Sequence, residues 1–441
     1  MIGRPITLTA IVAVAALVAC DSPAGTDQIC ASLPTAPQSA RVDLASPSFS
    51  NPTSVTNPLF PVSGLGRVLL MGNVGGVPLR VETTLMPGIR TIDLDGEPVE
   101  VLVSQYVAWL DRRIHEVAID WYAQDDDGAV WYFGEDVFNF EGGVIVDTDG
   151  TWLAGRDGPV AMIMAASPQV GNVWRPENIC EVIFEEVTVQ TIGVTVNGPR
   201  GPVQGAIVTD ELHMDGTRED KTFAPGYGEF STGSGTNLEA VALAVPTDAL
   251  PGPVPTELFT LSAGADSIFD AAQVGGWSAA SAILGRMTTA WNAFQAGSVP
   301  PTLRTQMNGA LAALGGALQA QNVGAARQTS VDVDLASLDL QLRHRPVAQI
   351  DLELLDLWAR QLLVDAAAGD QGAVLGDAAT IKWIRDRLAA DVTYEPELSR
   401  IDAPLGGLRA AAAARNLGAA TDAATRLRQT LARTRAIGWR R

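Results

Sequence analysis

Histidine, cysteine and lysine are scarce in this chain: three, three and two residues respectively out of 441. His115, His213 and His344 lie far apart and lack the paired spacing of a zinc site. The cysteines form no C-x-x-C, and neither a G-x-S-x-G nucleophile elbow nor a phosphate-binding glycine loop is present. The signatures of the commonest catalytic and cofactor chemistries are therefore missing, and no cofactor is expected. Positive charge is also short, since Lys221 and Lys382 are the only lysines and the net charge is −20. A surface of that sign repels nucleic acid, whose binding depends on neutralising phosphates. After Cys20 no apolar run reaches the roughly 18 residues that a transmembrane helix needs.

What is present begins with an address. Arg4, the apolar run from Ile6 to Val18 and small residues before Cys20 have the form of a secretory signal peptide over residues 1–19. Leu17-Val18-Ala19-Cys20 resembles the bacterial lipobox. That resemblance implies a diacylglyceryl group on the Cys20 sulfur, cleavage before Cys20 and acylation of the new amino terminus. The mature chain is then expected on the exported side of a bacterial membrane, tethered by acyl chains with its polypeptide in water. Cys30 and Cys180 remain as an even pair in an oxidising compartment, and a disulfide between them is expected.

Composition divides the rest. Residues 20–56, rich in Ser, Pro, Ala and Thr, read as a lipidated flexible stalk. From 57 to 248 short period-two segments, such as Val99–Val107 and His115–Tyr122, alternate with turn signals such as Asp95-Gly96, Gly142-Gly143, Asn197-Gly198 and Asp215-Gly216. Glycine after Asp or Asn supplies the positive φ of tight hairpins, so this region is expected to be an antiparallel β-meander domain. Residues 249–256 form a proline-rich linker. Residues 257–441 become rich in alanine and leucine, and Gly275, Asn322, Gly369 and Asn416 recur every 47 residues. Ala279, Ala326, Ala373 and Ala420 follow at a fixed offset of four, while Pro300-Pro301, Pro346 and Pro396 fall about halfway between. Each period reads as one helical hairpin, giving an all-α repeat or bundle of about eight helices.

The most distinctive segment runs from Asp120 to Asp136, Asp-Trp-Tyr-Ala-Gln-Asp-Asp-Asp-Gly-Ala-Val-Trp-Tyr-Phe-Gly-Glu-Asp. It resembles the central hairpin, D-W-Y-A-Q-D-x-x-G-x-V-W-Y-F-G-E-D, of a widespread and functionally uncharacterised family of bacterial secreted β-domains, many of them lipoproteins. Asn57-Pro-Leu-Phe-Pro, Gly150-Thr-Trp-Leu-Ala-Gly-Arg-Asp-Gly and Ala224-Pro-Gly-Tyr-Gly fit the same pattern, so the resemblance spans about 57–235. It implies export and a β fold, and no reaction.

From the residues themselves the segment is two strands around an acidic turn. Trp121, Trp131, Tyr132 and Phe133 can pack in the core, or form an aromatic surface for a hydrophobic or sugar-like ligand. Asp125 and Asp127 offer oxygen ligands for calcium, although the spacing fails the EF-hand template and a solvated turn is the simpler reading. The arginines between Arg426 and Arg441 can pair with acidic groups on neighbouring helices or touch anionic lipid head groups. The reading that follows is a membrane-anchored envelope lipoprotein that binds or scaffolds, with a protein partner on the helical repeats. A carrier of an apolar ligand such as a lipid in the β domain is the alternative, and an envelope hydrolase the third.

Overall fold

In a computed structural model the chain is described at residue 30 and over residues 32–180, 182–389 and 395–438. Over these residues fourteen antiparallel strands precede eight α-helices. The strands are β1 (Arg67–Val74), β2 (Val77–Leu94), β3 (Glu97–Leu110), β4 (Arg113–Gln124), β5 (Val130–Glu141), β6 (Val144–Asp147), β7 (Trp152–Leu153), β8 (Ala161–Met164), β9 (Val173–Ile179), β10 (Ile183–Gly198), β11 (Gly201–His213), β12 (Arg218–Ala224), β13 (Gly228–Ser234) and β14 (Asn237–Val245). Neighbours follow chain order, with the meander joined through β1 and β14, so that β6 and β9 end the path. The path curls back on itself. β8 pairs with β5, and Trp174 on β9 donates from Nε1 to the Ile163 carbonyl on β8 at 3.2 Å, so the sheet curls into a barrel closed between β5 and β9 through β8, by side-chain packing rather than a continuous ladder.

Most of the expected turn glycines do what their positions require: Gly96, Gly128, Gly143, Gly150 and Gly216 all have φ between 80° and 97°. Asn197-Gly198 differs. These two residues end β10, paired with Pro202 and Gly201, and the turn itself falls on Pro199-Arg200.

The helices are α1 (Thr256–Gln273), α2 (Trp277–Phe294), α3 (Pro301–Gln319), α4 (Val323–Gln341), α5 (Val347–Ala368), α6 (Gln371–Ala389), α7 (Glu395–Ala413) and α8 (Leu417–Gly438). They pair as the hairpins expected from the 47-residue period, and α1 also packs on α4 and α5 on α8. The result is two closed four-helix sets rather than an open stack of repeats. The punctuating residues act in two ways. Gly275 and Gly369 end helices at positive φ, whereas Asn322 and Asn416 cap the next helix, each Oδ1 accepting from a backbone N–H three residues on at 3.0 Å. The left-handed residues there are Gln321 and Arg415, one position earlier. Ala326, Ala373 and Ala420 are buried at the fold-back, but Ala279 is exposed and its neighbour Ala280 takes the buried place. The first hairpin is therefore one residue out of register.

The two four-helix sets meet through an exchange of charge. Asp266 on α1 and Arg360 on α5 stand two periods apart, as do Asp334 on α4 and Arg428 on α8. Arg360 pairs with Asp334 and approaches Asp266 to 3.8 Å, and Arg428 reaches Asp266 at 2.8 Å and Asp356 at 3.3 Å. Part of the arginine-rich end is thus used inside the fold, while Arg440 and Arg441 lie outside the described residues.

Sheet and helices share one core. The largest apolar cluster joins Leu69, Val107, Trp109, Val117 and Leu243 of the strands to residues of all eight helices. Trp109 stacks on Trp358 at 5.7 Å and donates to Thr380 Oγ1 at 3.2 Å. The expected linker is packed too, with Leu250 N donating to the Arg343 carbonyl at 2.7 Å.

The stalk reading needs correction over residues 32–56. Ala36 N donates to Glu186 Oε1 at 2.6 Å, Arg41 bridges Val173, Phe49 lies 5.5 Å from Phe133, and Val55 is fully buried. A few apolar anchors among the prolines clasp this segment to the barrel. Cys30 and Cys180 form the expected disulfide, their Cα atoms 5.9 Å apart. Cys20 and the signal peptide lie outside the described residues. Among the described residues no helix is long and apolar enough to cross a membrane.

Candidate functional site

Cross-strand partners in a sheet share a face, so register identifies which side chains enter the barrel. On β1 to β3, Arg67, Leu69, Arg80, Glu82, Val107 and Trp109 face the helices. The opposite face runs from Leu70 through its partner Val81 to Ala108, then along β3 to Tyr106 and Ser104. Ser104 pairs with Asp120, Asp120 with Glu135, and Tyr122 with Tyr132. From the other end, Glu177 pairs with Glu185, Glu185 with His213, Glu211 with Glu219, and Thr232 with both Lys221 and Glu239.

These side chains look at one another across the enclosed space. Burial, followed by the charges of Glu239, Glu116, Glu229 and Asp120, holds the Tyr106 phenol well above its ordinary pKa. Tyr106 lies on β3, whereas Glu229 and Glu239 lie on β13 and β14. Tyr122 on β4 likewise feels Glu177 on β9 and Glu229 on β13 after the effect of burial.

The interior is acidic and undercompensated. Among the described residues nine carboxylates, Glu116, Asp120, Glu135, Glu177, Glu185, Glu211, Glu219, Glu229 and Glu239, face Lys221 and His213. Burial pushes Glu116 to about 7, and Asp120 to about 7 even though Tyr132 donates to it at 2.8 Å. Burial and then the Glu229 charge lift Glu239 to about 8. Glu135 and Glu177 are both raised well above the carboxylate range, first by burial, and share a hydrogen bond that lowers Glu135 and raises Glu177. Trp152, paired with Glu135 and fully buried, has an indole N–H without a partner.

At one side of this space Glu185, Glu211 and His213 bring their ligand-type atoms within 4.8 Å of one another. His213 Nδ1 lies 3.2 Å from Glu185 Oε1, and Nε2 lies 3.9 Å from Glu219 Oε2. Lys221 Nζ is 2.8 Å from Glu211 Oε2. Burial and then the Glu185 charge lift Glu211 to about 7, partly opposed by Lys221. Burial lowers the His213 pKa, but the Glu185 hydrogen bond and charge more than reverse it.

The residues singled out from sequence stand elsewhere. Trp121, Trp131, Tyr132 and Phe133 are all buried, so the aromatic hairpin presents no exposed ligand surface. The segment around Phe49 and Val55 covers it, and Tyr132 turns inward to Asp120. Asp125 spends its carboxylate on the turn, accepting from Asp127 N, Ala129 N and Trp131 Nε1 at 2.7–3.1 Å, which leaves no free pair of oxygens for calcium. Asp127 remains at the exposed turn. His115 and His344 are not brought to His213. Sequence reasoning missed the interior carboxylates. Their local signal was period-two spacing in Glu211-Leu-His213 and Glu219-Asp-Lys221, which places like chemistry on one face.

No protein-family model, curated protein or solved structure matches the chain.

Proposed function

We propose that the protein is an exported binding protein, anchored to a bacterial membrane through lipid on Cys20, whose barrel takes up a small cationic ligand. The observation that carries this reading is the imbalance of charge inside the barrel. Nine inward carboxylates against one lysine and one histidine form an interior that a cation would stabilise, whereas an uncharged lipid chain would leave the carboxylates unpaired in a dry space. The apolar-carrier alternative is weaker for that reason. The scaffolding reading loses support because the helices spend much of their apolar surface on one another and on the sheet. Export and anchoring rest on Arg4, the apolar run and Leu17-Val-Ala-Cys20.

Calorimetric titration of the mature chain carrying Cys20→Ser, with spermidine, calcium and zinc as probes, tests ligand uptake. Saturable binding of at least one probe is expected, weakened about tenfold or more by combined Glu135→Gln and Asp120→Asn. Absence of saturable binding by every probe would overturn the reading. Anchoring is tested separately, since Cys20→Ser should move the expressed protein from the membrane to the soluble fraction.

A further inference from the structure

We propose that Glu185, Glu211 and His213 form a binding site for a divalent transition-metal ion on the barrel wall. This rests on the reading of the interior as a cation site and assigns one ion to one place within it. Three ligands of two kinds come from two adjacent strands, His213 and Glu211 being two residues apart on β11 and Glu185 directly across on β10. Ligands about 2.1 Å from a tetrahedral ion lie about 3.4 Å from one another. The His213 Nδ1 to Glu185 Oε1 distance of 3.2 Å already meets that spacing, and the whole set lies within 4.8 Å.

One further observation points to an occupant. Glu211 is only 2% exposed and its Oε2 is held by the Lys221 ammonium at 2.8 Å. His213 Nε2, by contrast, is buried without a hydrogen bond, 3.9 Å from Glu219 Oε2. Metal on Nδ1 would direct the Nε2–H toward Glu219, the carboxylate partner that metal-bound imidazoles commonly use for orientation. Lys221 has a place to go when an ion arrives. Its Nζ stands 3.9 Å from Glu229 Oε2 as well, so a small swing frees Glu211 while keeping the ammonium paired. An imidazole beside carboxylates selects zinc and similar ions over calcium, which prefers an all-oxygen shell of six or more ligands.

Zinc titration of the mature Cys20→Ser chain, with cobalt absorption as a spectroscopic readout, tests the assignment. One zinc per chain is expected, with His213→Ala and Glu185→Gln each weakening it tenfold or more and His213→Ala abolishing the nitrogen-ligated cobalt spectrum. Lys221→Met should tighten zinc, an effect in the opposite direction that misfolding cannot imitate. Zinc affinity unchanged by His213→Ala and by Lys221→Met would overturn this site. If spermidine then still bound in an Asp120- and Glu135-dependent way, the cation-binding barrel would stand without it. Failure of every cation would remove both.

Discussion

Two groups of buried charge face opposite sides of the same sheet and are built on opposite terms. Between sheet and helices, Arg67, Arg80 and Arg387 meet Glu82, Asp339 and Asp351, three cations for three anions. Arg67 holds both Asp351 oxygens at 2.7 and 2.9 Å, and Arg387 joins Glu82 at 2.7 Å to Asp351 at 3.1 Å. Although burial pushes Glu82 up, the surrounding arginines overcome that and hold it far below the usual carboxylate range. Inside the barrel burial acts alike, but few cations oppose it, so Glu116, Asp120 and Glu211 rise to about 7. Burial alone does not decide whether a carboxylate holds a fold together. Its counter-charge does, and where the chain supplies none the vacancy of charge belongs to a ligand or a proton.

The sharpest way to break this contrast is to remove one arginine from the seam. Arg387→Met leaves Glu82 and Asp351 short of a partner in the core and should cost about 3–5 kcal/mol in urea unfolding. A loss under about 1 kcal/mol would mean that the seam is no more compensated than the barrel. A smaller but more exacting pair uses one isosteric change on each side. Glu82→Gln removes an ionised group from among three arginines and should destabilise by about 2–3 kcal/mol. Glu177→Gln replaces an acid whose ionisation is disfavoured by burial and then by the Glu185 charge, so its effect should stay within about 1 kcal/mol and favour stability at neutral pH. Equal losses from the two substitutions, compared by urea melts at pH 7.5, would erase the distinction.

Much of the architecture is legible in the sequence because it depends on local chemistry. Glycines after Asp mark the hairpins, prolines start helices, and a Gly or Asn every 47 residues marks each helical fold-back. The candidate site is not legible for a reason that lies in the barrel itself. Both faces of β1 to β4 are buried, one by helices and one by the opposite wall, so period-two alternation separates two faces without saying which is which. Glu82 and Glu177 look equivalent as letters in a strand. Only the register and the arginines of distant helices tell them apart. The same long-range pairing explains why residues 32–56, proline-rich and without periodicity, read as a stalk yet lie against the barrel.

The pH dependence of unfolding between pH 5 and pH 8 measures the uncompensated interior most directly. A carboxyl whose folded pKa is raised keeps in the native state a proton that the unfolded chain releases near pH 4, so its contribution is full below that pH and is lost as pH rises through the folded value. With Glu116, Asp120 and Glu211 at about 7 and Glu239 at about 8, stability should be highest near pH 5 and fall steadily to pH 8. The seam works in the other direction, because Glu82 is depressed and its contribution fails only as pH drops below about 4. Urea midpoints that decline from pH 5 to pH 8, with the decline reduced in Glu116→Gln and Asp120→Asn, are the predicted result. Midpoints that stay level or rise over that range would contradict an acid-rich interior without its own counter-charge.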